Sequence, residues 1–154
     1  MITEFDLKNA LLSLIQSQYK FPQYHFYSVE SAEQKEKPYF VTNMQLLEQT
    51  DETLNVILKK YFVTITYEPQ QRDEMDHFEK IETFRQLLYQ KNDNMKKSNM
   101  GIQVKEKHIK VDKFAYTYVG NEKNQLQIQL NLSFFESSVI QQTEPKIKSI
   151  QMEG

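Results

Sequence analysis

Three histidines, His25, His77 and His108, are the residues of this chain best suited to metal ligation or proton transfer, and they lie far apart in sequence. None sits in a ligand spacing such as His-Glu-x-x-His, so each reads as a solvated or structural group, with His77 on the exposed flank of a helix. A serine nucleophile would need the sharp Gly-x-Ser-x-Gly turn. That motif is absent, and three glycines in the whole chain leave no loop to cradle a phosphate. Gly101 and Gly120 read as turn residues. With no cysteine there can be no thiolate zinc site, disulfide or cysteine nucleophile. Asp73, Glu74 and Asp76 bunch as an acid–base pair would, but acidic groups gather in a first helical turn because the helix dipole favours them there. The sequence therefore predicts no catalytic residue, no metal site and no cofactor.

Charge and composition narrow the classes further. Nineteen basic and twenty-one acidic side chains give a net charge of −2, a poor balance for a protein whose affinity must come from neutralising phosphates. Lys91, Lys96, Lys97, Lys105, Lys107, Lys110 and Lys113 make the middle of the chain locally basic, only partly offset by Asp93, Glu106 and Asp112. Scarce arginine and weak aromatic interleaving make this a solvated face. The N-terminal Met-Ile-Thr-Glu-Phe-Asp lacks the basic start and apolar stretch of a signal peptide, and no run approaches the roughly eighteen apolar residues that cross a bilayer. Together with the missing cysteines, this predicts a soluble protein of intracellular origin, with no membrane partner. The aromatic set Tyr61, Phe62, Tyr67, Phe78, Phe84, Phe114, Tyr116, Tyr118, Phe134 and Phe135 is expected in the core, some of it at a subunit interface.

The elements follow from periodicity. The 154 residues suit one domain with one core. Leu7, Leu11, Leu14, Ile15 and Tyr19 share a helical face over about residues 4–18, with Thr3 and Asp6 as a cap and Phe21-Pro22 as the stop. Residues 25–29 form a short β-rich segment, 31–37 an exposed connection, and Pro38 opens a second strand through Met44. Polar residues 48–53 read as a turn or protruding hairpin tip. Residues 56–67 predict a long central strand with Ile57, Tyr61, Val63, Ile65 and Tyr67 on one face and Lys60, Thr64 and Thr66 on the other. Asp73 caps a second helix whose Phe78, Ile81, Phe84, Arg85 and Leu88 follow three- and four-residue spacing. After polar residues 91–99 come strands at 102–104 and 109–119, a turn at 120–124, and a final strand. In it Leu126, Ile128, Leu130, Leu132 and Phe134 alternate with Gln125, Gln127, Gln129, Asn131 and Ser133. The prediction is an α+β domain over residues 1–135, a mostly antiparallel, mixed sheet with two helices on one face. Residues 136–154, rich in Gln, Lys and Ser, read as a flexible tail or arm that orders only against a neighbour.

The order of these segments carries a resemblance. A short helix leads into Phe21-Pro22, then Tyr27-Ser28-Val29-Glu30, Lys37-Pro38-Tyr39-Phe40-Val41, and Tyr61-Phe62-Val63-Thr64-Ile65-Thr66-Tyr67-Glu68-Pro69. An amphipathic helix ending in Leu87-Leu88 follows, then Ile109-Lys110-Val111-Asp112-Lys113-Phe114 and an aromatic-rich hairpin. Over residues 2–135 the chain resembles the tail terminator proteins of long-tailed phages, prophages and phage-like particles of Gram-positive bacteria. The resemblance implies a structural protein of the virion tail, at its neck end, assembled in the bacterial host cytoplasm. It implies a hexameric ring that caps the tail tube, stops its polymerisation and forms the head–tail joining interface. The partners implied are further copies of the chain, the tail tube protein, a head connector or neck protein, and the sheath protein where the tail has one. DNA would pass through the ring without specific recognition. The residues expected at the interface are Thr64, Thr66, Gln127 and Gln129, polar positions on the sheet face turned away from the core.

Three other readings remain open in the sequence. Another neck or head-completion protein would share the size and the lack of chemistry. A small enzyme would need a deep pocket joining His25 or His108 to Asp112. A nucleic-acid module centred on residues 96–113 would show salt-dependent DNA binding.

Overall fold

Thr3 and Asp6 begin the first helix by capping each other: the Asp6 N–H donates to Thr3 Oγ1 and the Thr3 N–H donates to the Asp6 carboxylate. The computed structural model describes residues 1–28, 34–89 and 100–137. From that cap α1 runs Glu4–Gln16. It stops two residues short of the predicted end, because Tyr19 turns its ring inward against Tyr24, Phe40 and Phe84. Then come β1 (His25–Ser28), β2 (Tyr39–Thr53), β3 (Val56–Glu68), α2 (Glu74–Leu88), β4 (Gly101–Val104), β5 (Lys107–Val119) and β6 (Gln125–Ser137). Both Phe21-Pro22 and Lys37-Pro38 are cis peptides.

The strands form one six-stranded sheet in the order β1-β2-β3-β6-β5-β4. Only β1 and β2 run parallel, and every other neighbouring pair is antiparallel. The mixed sheet with two helices is the α+β domain the sequence predicts, and β3 is central. Because α1 touches both β2 and β4, which stand far apart in the strand order, the sheet curls around it.

The β3–β6 register builds the core. Tyr61 faces Leu132, Val63 faces Leu130, Ile65 faces Ile128 and Tyr67 faces Leu126, so the apolar alternation of the two strands falls on one side. Leu7, Leu11 and Ile15 of α1 and Ile81, Phe84 and Leu88 of α2 close over that side in a single buried cluster. Each of these side chains contributes about 1.5–3 kcal/mol by leaving water.

Several expectations are corrected. Residues 48–53 are strand, hydrogen-bonded to β3 across two register shifts, and the turn of this hairpin is the pair Leu54 and Asn55. The inner face of α2 is His77, Lys80, Ile81, Phe84 and Leu88, whereas Phe78 is 46% exposed. His77, expected on the solvated flank, is therefore buried. The helix turns by about one residue from the phase its apolar letters suggest, which becomes possible once Lys80 has partners inside. Tyr116 and Phe135, counted with the core aromatics, are also exposed. Gly101 is no turn residue: it opens β4, and a Cβ there would lie 2.2 Å from His108 Nε2 and 2.6 Å from the Ile109 carbonyl oxygen. Gly120 does hold a turn, at φ +84°, a region that side chains disfavour. Glu136 and Ser137, assigned to the tail by sequence, belong to β6. The remaining tail, residues 138–154, lies outside the described residues, as do Val29, residues 31–33 of the connection and the polar stretch 91–99.

Candidate interaction surface

With both helices on one side of the sheet, the opposite face has no described helix over it. The strand register sets its residues in rows. Asn43, Thr64, Gln129 and Ala115 form one row across β2, β3, β6 and β5, and Val41, Thr66, Gln127 and Thr117 form the next. The four residues predicted for an interface are thus brought together at the centre of this face as two cross-strand pairs, Thr64 with Gln129 and Thr66 with Gln127. Gln129 Nε2 donates to Gln127 Oε1 at 2.9 Å, and Gln127 Nε2 donates to Thr66 Oγ1 at 3.3 Å. At the end of the ladder Gln125 Nε2 donates to Glu68 Oε1 at 2.7 Å. All four side chains are half-buried by their neighbours. The rows carry amides and hydroxyls but no charge, so they offer paired donors and acceptors to a flat partner and no acid or base at neutral pH.

Ionisable groups gather instead on the inner side, around Lys80. Its side chain is 1% exposed, 2.7 Å from Asp76 Oδ1 and 3.0 Å from Glu79 Oε1. Its ammonium lies 4.7, 5.2 and 4.8 Å from the ring centroids of Tyr19, Tyr24 and Tyr67. Tyr67 Oη donates to Asp76 Oδ2 at 2.5 Å and Tyr19 Oη donates to Glu79 Oε2 at 2.8 Å. Burial opposes the lysine charge, but the hydrogen bonds to Asp76 and Glu79 outweigh it and hold the pKa above the ordinary lysine value. Burial, then the two acidic partners, push the Tyr67 and Tyr19 phenols above the ordinary tyrosine value. Lys80, Asp76, Glu79, Tyr19 and Tyr67 are thus engaged with one another through ion pairs and hydrogen bonds. The signal for it was present in sequence as the four-residue spacing of Asp76 and Lys80 on one helix, but the tyrosines come from distant segments.

The histidines remain apart. His25, on β1, lies 3.5 Å from Glu36 of the following connection, while His108 packs over Gly101. Three strands separate β1 from β5, roughly 19 Å along the sheet at about 4.8 Å per step, so His25 does not meet Asp112. Among the described residues no group of three His, Asp or Glu could hold a metal. Of the basic stretch, Lys105 pairs with Asp6 at 3.1 Å, Lys107 donates to the Phe135 carbonyl, and Lys110 lies 3.8 Å from Asp112.

No family model matches this sequence, and no curated protein matches it. One similar solved structure shares 6% identity, covering 90% of this chain and 97% of its own, at a TM-score of 0.49. At that level the likeness says nothing of function.

His77 gives a pH dependence. It packs between Tyr67 and Tyr118, with both ring nitrogens buried and without a hydrogen-bond partner among the described residues. Burial, reinforced by Arg72 and Lys80, lowers its pKa below the ordinary 6.5 against the opposing pull of Asp76. The unfolded chain therefore binds the proton first. Stability is complete above pH 6.5 and declines as pH falls from there toward the folded pKa. In thermal melts between pH 7.5 and 5, a His77→Phe variant is expected to lose less stability than the wild type. Equal losses would show that His77 is not the group responsible.

Proposed function

We propose that this chain is a structural subunit of a phage or phage-like tail, a tail terminator that caps the tail tube as a ring, stops its polymerisation and meets the head-side neck protein. The reading is supported by the order of segments over residues 2–135 and by one structural observation above all: α1 and α2 both lie on one side of the sheet, and no described helix covers the polar rows around Thr64, Thr66, Gln127 and Gln129. A bare face of hydrogen-bonding side chains suits a wet interface formed in assembly rather than during folding. A polymer's open end requires a cap that binds on one side only, and a closed ring provides this because each subunit's head-to-tail contact is met by its neighbour. No specific DNA recognition enters this role.

The test mixes purified protein with assembling tail tubes and measures tube length and end structure by electron microscopy. Tubes shortened and closed by a ring at one end are expected. The Gln129→Glu variant should still fold, since the side chain lies off the core and gives up only its donation to Gln127, yet lose capping because it places a charge in an uncharged row. Tube lengths indifferent to the wild-type protein would reject the role.

A further inference from the structure

Among the described residues the sheet leaves two edges open, diagonally across from each other. On β2 the outer side is paired by β1 only over residues 39–42, so residues 43–53 have no strand beyond them among the described residues. On β5 the outer side is paired by β4 only over residues 107–110, and residues 112–119 are likewise open. Such edges display unpaired N–H and C=O groups and will accept a further strand unless something prevents it.

Strand direction and charge indicate which strand. Since β2, β3, β6 and β5 alternate antiparallel, β5 runs opposite to β2. A second copy set beside the first in the same orientation therefore brings its β2 antiparallel to this β5, the better-bonded arrangement. The open part of β2 carries Glu48, Asp51 and Glu52 and no basic residue. On the β5 side Asp112 sits near Lys110, which leaves Lys113 with no ion-pair partner among the described residues. Glu48 stands opposite Lys60 and Lys113 opposite Asn131, so both lie on the bare face of the sheet. The existing contact of Glu48 with Lys60 is long, 3.8 Å, and half exposed. Pairing two β2 edges about a two-fold axis would set three acids against three, whereas pairing β2 with β5 sets opposite charges together. The bulge between Leu46 and Glu48 adds to the bias by breaking the regular edge that indiscriminate pairing needs.

We propose that the acidic β2 edge of one copy adds antiparallel to the β5 edge of the next, with Glu48 against Lys113, so that copies associate head to tail. The pairing rests on the ring reading above for its closure; the edge contact itself stands on the register and charges just described.

The experiment is sedimentation velocity of the full chain over a concentration series, for the wild type, Glu48→Lys, Lys113→Glu and the double reversal. Each single reversal is expected to weaken association roughly ten-fold or more, and the double to restore it. Circular dichroism establishes that each variant is folded. If a reversal fails to fold, hydrogen exchange on the wild type decides: protection of residues 43–51 and 112–119 must rise with concentration. A wild type monomeric at every concentration, single variants that associate normally, or exchange indifferent to concentration would overturn the pairing. A double reversal no better than the singles would do so as well. The two readings separate cleanly. A chain that caps tubes without charge-dependent association keeps the tail role and loses this contact, and a charge-dependent assembly that ignores tubes does the reverse.

Discussion

Replacing Lys80 with alanine is expected to lower the unfolding free energy by about 3 kcal/mol, and replacing it with methionine by clearly less. The ammonium is enclosed by the Tyr19, Tyr24 and Tyr67 rings and paired with Asp76 and Glu79. Alanine removes both the side-chain stem that fills the space between the rings and the ammonium, which is at once the cation the rings face and the counter-charge of Asp76. Methionine restores the volume and keeps the rings packed, so only the electrostatic part is lost, and Asp76 still accepts from Tyr67. Glu79 is more than half exposed and is solvated without help, which limits the electrostatic part to the Asp76 side. Urea denaturation at pH 7 measures both variants. An alanine variant within about 1 kcal/mol of wild type would mean that the cage is an incidental contact.

The cage also marks where sequence reading stops. The strand faces were legible because β3 and β6 alternate without interruption, and a period of two admits one assignment of sides. For the same reason the sequence places Thr64, Thr66, Gln127 and Gln129 on one face, and the register makes Thr64 and Gln129, and Thr66 and Gln127, direct neighbours. The phase of α2 was not legible, because it depends on a buried lysine. Hydropathy sends Lys80 outward and Phe78 inward, and only tyrosines from other elements, Tyr19 and Tyr24 near the first helix and Tyr67 on β3, reverse that choice. Polar letters misled in the same way at residues 48–53. That segment is strand because β3 extends far enough to pair with it, a tertiary fact with no local signature. The open edges were equally hidden, since an edge is defined by which strands are short, and β1 and β4 are four residues each.

A second buried pair, at the far end of the core, is expected to show a comparable effect and a distinctive acid response. Lys59 and Glu136 are 9% and 4% exposed at their side chains, with Lys59 Nζ 2.7 Å from Oε1 as an ion pair outside hydrogen-bond alignment. Glu136 Oε2 accepts the Ile2 N–H at 2.5 Å, joining the start of the chain to the end of the last strand. Glu136→Ala leaves a buried ammonium and a buried N–H without acceptors, and it should cost about 3–5 kcal/mol at pH 7. The pair Lys59→Met with Glu136→Leu should recover most of that loss, since apolar groups of similar volume need no partner. Burial raises the carboxyl pKa, but the Lys59 ammonium and the Ile2 N–H together outweigh it and bring it below the ordinary 4.5. For a carboxyl depressed on folding, the stabilisation is present above the unfolded value and disappears as pH falls through the folded one. The gap in melting temperature between wild type and Glu136→Ala should therefore be constant from pH 7 to about 5 and should narrow below 4.5. A gap that stays constant down to pH 3 would mean that Glu136 stabilises by packing alone, without the charge that ties Ile2 and Lys59 to β6.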